Sequence, residues 1–257
     1  MNSSNLLHVD CRLLTVGCQP PMISEEHESQ LRRLNQVFIE ENRKLNLSAF
    51  REEEQSWIGN VMDSLSILDP PLLLGEGLGV RYNNSSKISI KILDIGTGGG
   101  FPLLPLAICL PECELTGIDA TQKKITAVER ISEKLDIKNI KLVTGRAEEL
   151  GHDSEHREQY DLVLSRAVAP INTLLEFCAP FCKVKGHIVL WKSMKIDQEL
   201  EDSLLARAEL TCHLIDQYEY ELPESFGKRQ LLIFEKTSAT DKKYPRKVGE
   251  PKKNPIF

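Results

Sequence analysis

The 257-residue sequence has no apolar run approaching the ~20 residues that a membrane-spanning helix needs. Asp10 and Arg12 fall where a signal peptide would carry its greasy stretch, so a soluble, cytoplasmic protein is expected. Positive charge is not in excess: 32 Lys and Arg stand against 38 Asp and Glu, a formal net charge of -6. That balance excludes a protein that coats nucleic acid indiscriminately, because phosphate binding needs clustered Lys and Arg, and the one such cluster lies at the C-terminus. Cysteines number seven, an odd count that argues against a disulfide framework and for reduced thiols. Cys109 and Cys113, like Cys178 and Cys182, sit four apart with no second Cys or His pair at finger-like spacing, so no metal site is expected. His152 and His156 lie in HDSEHREQ, which reads as a solvated polar loop.

What is present divides into four parts. Residues 1–23 lack sustained periodicity and read as a loosely held, flexible arm, ending near Pro20-Pro21. A helical extension packed on the core is expected over 24–75. Ser24 is a candidate N-cap followed by Glu25 and Glu26, with Leu31, Leu34, Val37, Phe38 and Leu45 at helical spacing. A second helix over Glu52 to Leu68 carries Trp57, Val61, Leu65 and Leu68 on one stripe and stops at Pro70-Pro71. After a glycine-rich link at Gly75 to Gly79, an α/β domain is expected over 86–237, because short apolar strands alternate with helices. The strands are Ile88 to Ile95, Glu114 to Ile118, Ile140 to Thr144, Tyr160 to Ser165, Gly186 to Trp191, His213 to Glu221 and Arg229 to Lys236. Helices are expected over Gln122 to Leu135, Pro170 to Phe181 and Asp197 to Leu210. The link at Pro223 to Gly227 is too short for a parallel crossover, so a mostly parallel sheet with one antiparallel end strand is expected. Residues 238–257 read as a basic flexible tail.

The most informative stretch is KILDIGTGGGFPLLPLAICL, Lys91 to Leu110. A buried strand ends in Asp94, Gly96, Gly98 and Gly100 form a turn, and an apolar helix follows; ligands of open α/β sheets lie at such strand ends. The second strand ends in Asp119, suited to accept hydrogen bonds from ribose hydroxyls. A dinucleotide fingerprint needs a further glycine where this chain has Phe101 or, in the other register, Leu103. The pattern D-x-G-x-G-x-G instead suits S-adenosylmethionine, which has no pyrophosphate and carries an ammonium group that an acidic loop residue can help hold. A nicotinamide dinucleotide and a purely structural turn stand as the alternatives.

Read in order, NRKLNLSAFREEE (42–54), MDSL (62–65), DIGTGGGFPLLPLAI (94–108), IDATQKKITAV (118–128), GRAEEL (145–150), SRAVAP (165–170) and KYPRKVGEPKKNPI (243–256) resemble one family. It is the bacterial guanine 7-nitrogen methyltransferases of small-subunit ribosomal RNA, the glucose-inhibited division protein B family. The resemblance implies a class I, Rossmann-like S-adenosylmethionine-dependent fold. It also implies a donor site of Asp94, Gly96, Gly98, Gly100, Phe101, Asp119, Ala120, Thr121, Ala147, Glu148 and Arg166. By similarity of position, Asn46, Arg51, Asp63, Ser64, Arg146, Arg166 and Lys192 are candidates for gripping the target base or its phosphates.

The implied partner is 16S ribosomal RNA or the 30S particle, with no membrane or DNA partner and a monomeric state expected. The 7-nitrogen of guanine has an in-plane lone pair and no proton, so the chemistry needs orientation and electrostatics and no general base or nucleophile. Lys242, Lys243, Arg246, Lys247, Lys252 and Lys253 would let the tail act as a flexible arm on RNA backbone. Three positions depart from the family pattern: Asn60 stands for its His, Leu103 for a Gly, and Lys192-Ser193 for Lys-Gly. Leu103 and Asn60 motivate a non-catalytic, RNA-binding or assembly role as a further alternative; a nicotinamide oxidoreductase is the other.

Overall fold

The computed structural model describes residues 23–68, 90–166 and 169–257. The expected arm up to residue 22, the glycine link and the start of the first strand at Ile88 lie outside the described residues. Ile23, placed in the arm by its sequence, is buried in the core.

Helix α1 (Glu25–Leu45) starts where Ser24 predicts. The serine hydroxyl accepts the His27 N–H at 3.1 Å, and Glu25, Glu26 and Glu28 occupy the positive end of the helix dipole. Leu31, Leu34, Val37 and Phe38 form its buried stripe. The segment expected as a uniform second helix is not uniform. It runs as α2 (Glu53–Ser56), a π-helical stretch (Trp57–Met62), α3 (Asp63–Leu65) and a 3-10 turn (Ser66–Leu68). Wider turns occur where an outside group competes for helix carbonyls. Here the Arg166 guanidinium takes those of Gly59 and Asn60.

Seven strands follow: β1 (Lys91–Ile95), β2 (Glu114–Asp119), β3 (Ile140–Thr144), β4 (Tyr160–Ser165), β5 (Cys182–Ser193), β6 (Cys212–Leu222) and β7 (Gly227–Lys236). They form one sheet in the order β3-β2-β1-β4-β5-β7-β6, parallel from β3 to β5. One strand is reversed, as expected, but it is β7, one place in from the edge, antiparallel to both β5 and β6. Its LLIF run is buried on both faces, whereas β6 is largely exposed, so burial of apolar surface puts β7 inside and β6 at the rim. The connecting helices are α4 (Leu103–Cys109), α5 (Gln122–Lys134), α6 (Ala147–Leu150) and α7 (Ile171–Cys178). The single helix expected over Asp197 to Leu210 is two, α8 (Asp197–Asp202) and α9 (Leu204–Glu209). Buried Ser203 separates them, its hydroxyl donating back to the Leu200 carbonyl.

The strands sort their side chains by alternation into two cores. Leu162, Leu164, Val189, Trp191, Leu231 and Ile233 face a layer made by α1, the π-helical stretch, α4 and α5. Val163, Ile188, Leu190, Leu232 and Phe234 face α7, α9 and the C-terminal segment.

That segment corrects the expectation of a flexible tail. Tyr244, Pro251 and Ile256 are buried, and a short helix α10 (Glu250–Lys253) forms. Arg157 donates to the carbonyls of Gly151, Thr240, Asp241 and Tyr244. Arg246 grips fully buried Glu176 through Nε and Nη2, at 2.9 and 2.7 Å. Asn172 and Thr173 donate to the carbonyls of Ile256 and Pro251. A segment whose backbone acceptors and one guanidinium are satisfied by the core is a strap. The histidine loop is corrected too: His156 is buried with Nδ1 2.8 Å from the Tyr160 hydroxyl, and His152 Nε2 lies 2.7 Å from the Pro245 carbonyl.

Candidate active site

The turn after β1 is tied down by backbone bonds from one side. The N–H groups of Gly96 and Thr97 both donate to the Ile118 carbonyl at the end of β2, at 2.9 and 3.0 Å. Gly96 has φ +75°, and no atom lies within 4 Å of where a Cβ would stand, so bare backbone borders open space. At Gly100, with φ +89°, a Cβ would meet the Leu104 side chain at 2.6 Å, so its glycine serves the helix start.

Below the turn lie buried polar atoms. No hydrogen bond of full geometry reaches either carboxylate oxygen of Asp94 or the Thr97 hydroxyl among the described residues, although that hydroxyl and the Leu103 N–H lie near enough to act weakly on the carboxyl. Desolvation pushes the Asp94 carboxyl up to about 6, against the pull of the Thr97 hydroxyl and the Arg166 charge. A buried, unsatisfied carboxylate costs stability unless something binds it, which marks the place as a site.

Asp119 closes the second side. Its Oδ2 accepts the Gly98 N–H at 3.1 Å and its Oδ1 the Thr121 N–H at 2.8 Å, so it fixes both loops and keeps lone pairs for a ligand. Ala120 and Thr121 are exposed beside it. The Gly145 N–H donates to the Asp119 carbonyl at 3.1 Å, which brings the end of β3, and with it Arg146, Ala147 and Glu148, to the same rim. Glu148 is buried, and its Oε1 accepts the Gly249 N–H of the strap at 3.0 Å. Arg146 is exposed at the start of α6.

Phe101 is buried and packs edge-on against Phe38 of α1, with centroids 4.7 Å apart. Arg166 lies over the same ring at 5.7 Å. Leu103 is fully buried, with its Cδ2 2.6 Å from where a Cβ on Gly117 would be, so it fills the core beneath β2. The open space at Gly96 is therefore not plugged by either side chain.

Arg166 does not pair with Asp161, whose carboxylate binds Lys183 at 2.7 Å. It reaches the helical extension, donating to the Gly59 and Asn60 carbonyls, Asp63 Oδ2 and Asn60 Oδ1. Asp63 Oδ1 accepts the Tyr220 hydroxyl at 2.7 Å, and its carbonyl accepts the Trp191 indole N–H at 2.9 Å. Three other candidates drawn from the sequence are occupied. Ser64 is fully buried with its hydroxyl on the Asn60 carbonyl, which corrects its assignment to the substrate face. Lys192 Nζ is held by Glu199 and, at 2.7 Å, by the Ala169 carbonyl. Asn46 accepts from Arg51 at 2.6 Å, which folds residues 46–51 onto the end of α1. Thr97, Tyr220, Arg229 and Gly249 were not singled out as site neighbours, and the last three are brought close only by the fold. Thr97 alone had a signal, its place inside the glycine turn.

The sequence itself decides what the site belongs to. Residues 27–224 match the family described as GidB: rRNA small subunit methyltransferase G. The chain belongs to this family. Ribosomal RNA small subunit methyltransferase G of Alkaliphilus metalliredigens is 37% identical over 246 residues, covering 95% of this chain and 98% of that protein. The Lactococcus lactis subsp. cremoris protein of the same name is 37% identical, covering 91% and 93%. Among solved structures, M. jannaschii TYW2 in complex with AdoMet aligns to 58% of this chain and 71% of its own, with 18% identity and a TM-score of 0.46. Membership in the methyltransferase G family leaves a nicotinamide oxidoreductase without support. Among the described residues no group of His, Cys, Asp or Glu is placed to hold a metal ion, and no helix is long and apolar enough to cross a membrane.

Proposed function

We propose that the protein transfers the methyl group of S-adenosylmethionine to the 7-nitrogen of a guanine in 16S ribosomal RNA, acting in the cytoplasm as a monomer on RNA or the 30S particle. The observations that support this reading are the bare Gly96 backbone facing open space and, two residues before it in β1, a buried Asp94 carboxylate without a well-formed hydrogen bond. Their chemistry fits the donor. A cationic α-ammonium suits Asp94 and Thr97, ribose hydroxyls suit the remaining lone pairs of Asp119, and Ala147 and Glu148 border the place of an adenine.

When bound, S-adenosylmethionine supplies a methyl carbon activated by a positively charged sulfur. The chain's own task is to orient. The bare backbone of Gly96 lets a ligand lie against it, Asp119 holds the first two loops in register, and Phe101 closes an apolar wall. Among the described thiols, burial pushes Cys109 and Cys212 up to about 12, far from the thiolate form a nucleophile needs. Of the candidates for gripping RNA, Arg146 is exposed beside the donor rim and is the one most free to do so.

The test is radiolabelled methyl transfer to 30S particles and to naked 16S RNA, followed by mapping of 7-methylguanosine. Label in that nucleoside is the expected result. Binding of S-adenosylhomocysteine with no transfer to either substrate would leave the non-catalytic role in its place.

A further inference from the structure

Arg166 spends its five N–H groups unevenly. Nη1 donates to the Gly59 carbonyl at 3.2 Å, the Asn60 carbonyl at 3.3 Å and Asp63 Oδ2 at 3.1 Å. Nη2 donates to Asn60 Oδ1 at 3.2 Å. The edge formed by Nη1 and Nη2 is thus held by the π-helical stretch and the residue after it. Among the described residues nothing accepts from Nε, and the side chain keeps 19% of its surface exposed. The second edge, Nε–H with the remaining Nη2–H, is the fork that binds two oxygens of a carboxylate or phosphate side by side.

The groups that hold the first edge are themselves fixed. Asn60 donates its amide to Ser56 Oγ at 3.1 Å and Ser48 Oγ at 3.3 Å, while the guanidinium, a donor only, requires the amide oxygen on its own side. Asp63 is held by Tyr220 of β6, and Arg229 of β7 approaches the same carboxylate at 3.6 Å. Helix widening, amide orientation and a buried carboxylate therefore converge on the rotation of one guanidinium 5.7 Å from the Phe101 ring of the donor site. The Asn60 carbonyl is shared, accepting the Asp63 N–H and the Ser64 hydroxyl of its own segment as well as Arg166.

From this geometry we infer that Asn60 and Asp63 are positioning residues that hold one edge of Arg166 so that its other edge receives an oxyanion of a substrate. The inference rests on the proposed function. Two sources share that chemistry: the carboxylate of the methyl donor and a phosphate of the RNA. Asn60 stands where the family resemblance expects His, so this chain reaches the guanidinium with an amide oxygen that a histidine does not have.

The test measures binding of S-adenosylhomocysteine, of 5′-methylthioadenosine, which lacks the amino-acid end, and of a guanine-containing RNA oligonucleotide. The proteins are the wild type, Asn60→Ala, Asp63→Asn and Arg166→Gln, each with its thermal midpoint. If the donor carboxylate is the occupant, the variants weaken S-adenosylhomocysteine about tenfold and leave methylthioadenosine unchanged. If phosphate is the occupant, RNA affinity falls by a similar factor and both nucleosides are unaffected. Folded Asn60→Ala protein that binds all three probes like the wild type overturns the inference, even if Asp63→Asn fails to fold. Failure of the wild type to bind S-adenosylhomocysteine would instead sink the donor reading on which it stands.

Discussion

Asp94 is the residue whose environment is most at odds with its chemistry. Its folded pKa, about 6, is raised above the ordinary 3.8, so the folded state holds the proton more tightly than the unfolded chain. The corresponding stability is fully present below pH 3.8 and is lost as pH rises through 6, leaving a cost of roughly 3 kcal/mol at neutral pH. Asp94→Asn is accordingly expected to stabilise the free protein by about 2 kcal/mol at pH 7.5, with the gain vanishing toward pH 4. Denaturant titrations of both proteins across that range check this, and a constant difference would refute it. The same proton competes with a bound cation, so affinity for S-adenosylhomocysteine should fall as pH drops below about 6. Asp94 was legible in the sequence because a carboxylate at a strand end before glycines has few structural uses. Its lack of a well-formed hydrogen bond was not, since that depends on what the fold leaves out.

At the scale of elements, the strap over 238–257 separates two uses of positive charge. Arg246 is structural, because Glu176 has no exposed surface and no other cation pairs with it among the described residues. Arg246→Ala should cost about 3 kcal/mol by leaving that carboxylate buried and unpaired, read as a lower midpoint in urea. Lys247, Lys252 and Lys253 are exposed. Changing all three to Gln should move stability by less than about 0.5 kcal/mol while lowering RNA affinity and reducing its salt slope by about two. Unaltered RNA binding at low salt would remove the strap from the RNA surface. Composition alone could not separate these lysines from Arg246, because a basic run looks alike whether it is solvated or pinned by a distant acid.

At the scale of the whole molecule, the helical extension and the strap cover opposite faces of one sheet, the first on one core and the second on the other. Glu41 of α1 joins the extension to the α/β domain. It accepts from Lys44, from Arg130 at 2.9 Å and from Lys134 at 3.4 Å, and these bonds, led by Lys44, hold its carboxyl down at about 2. A depressed pKa contributes stability above the unfolded value of 4.5 that is lost as pH falls through 2. Because the three cations are themselves half exposed, the contribution is about 1–2 kcal/mol. Glu41→Gln should lower the thermal midpoint by a few degrees at pH 7, with the difference shrinking as pH falls toward 2, in a single transition shared by both parts. A separate early transition for the extension would contradict the shared core.

Strand and helix periods, the Ser24 cap, the glycine turn and the acidic ends of β1 and β2 were fixed by sequence, because each depends on neighbours a few residues away. Tertiary structure alone decided that β7 sits inside β6, that a π-helical stretch yields its carbonyls to Arg166, that Ser64 and Lys192 are spent on packing, and that the basic tail is a strap. These are contests between partners distant in the chain, settled by burial and by which buried charge must be satisfied.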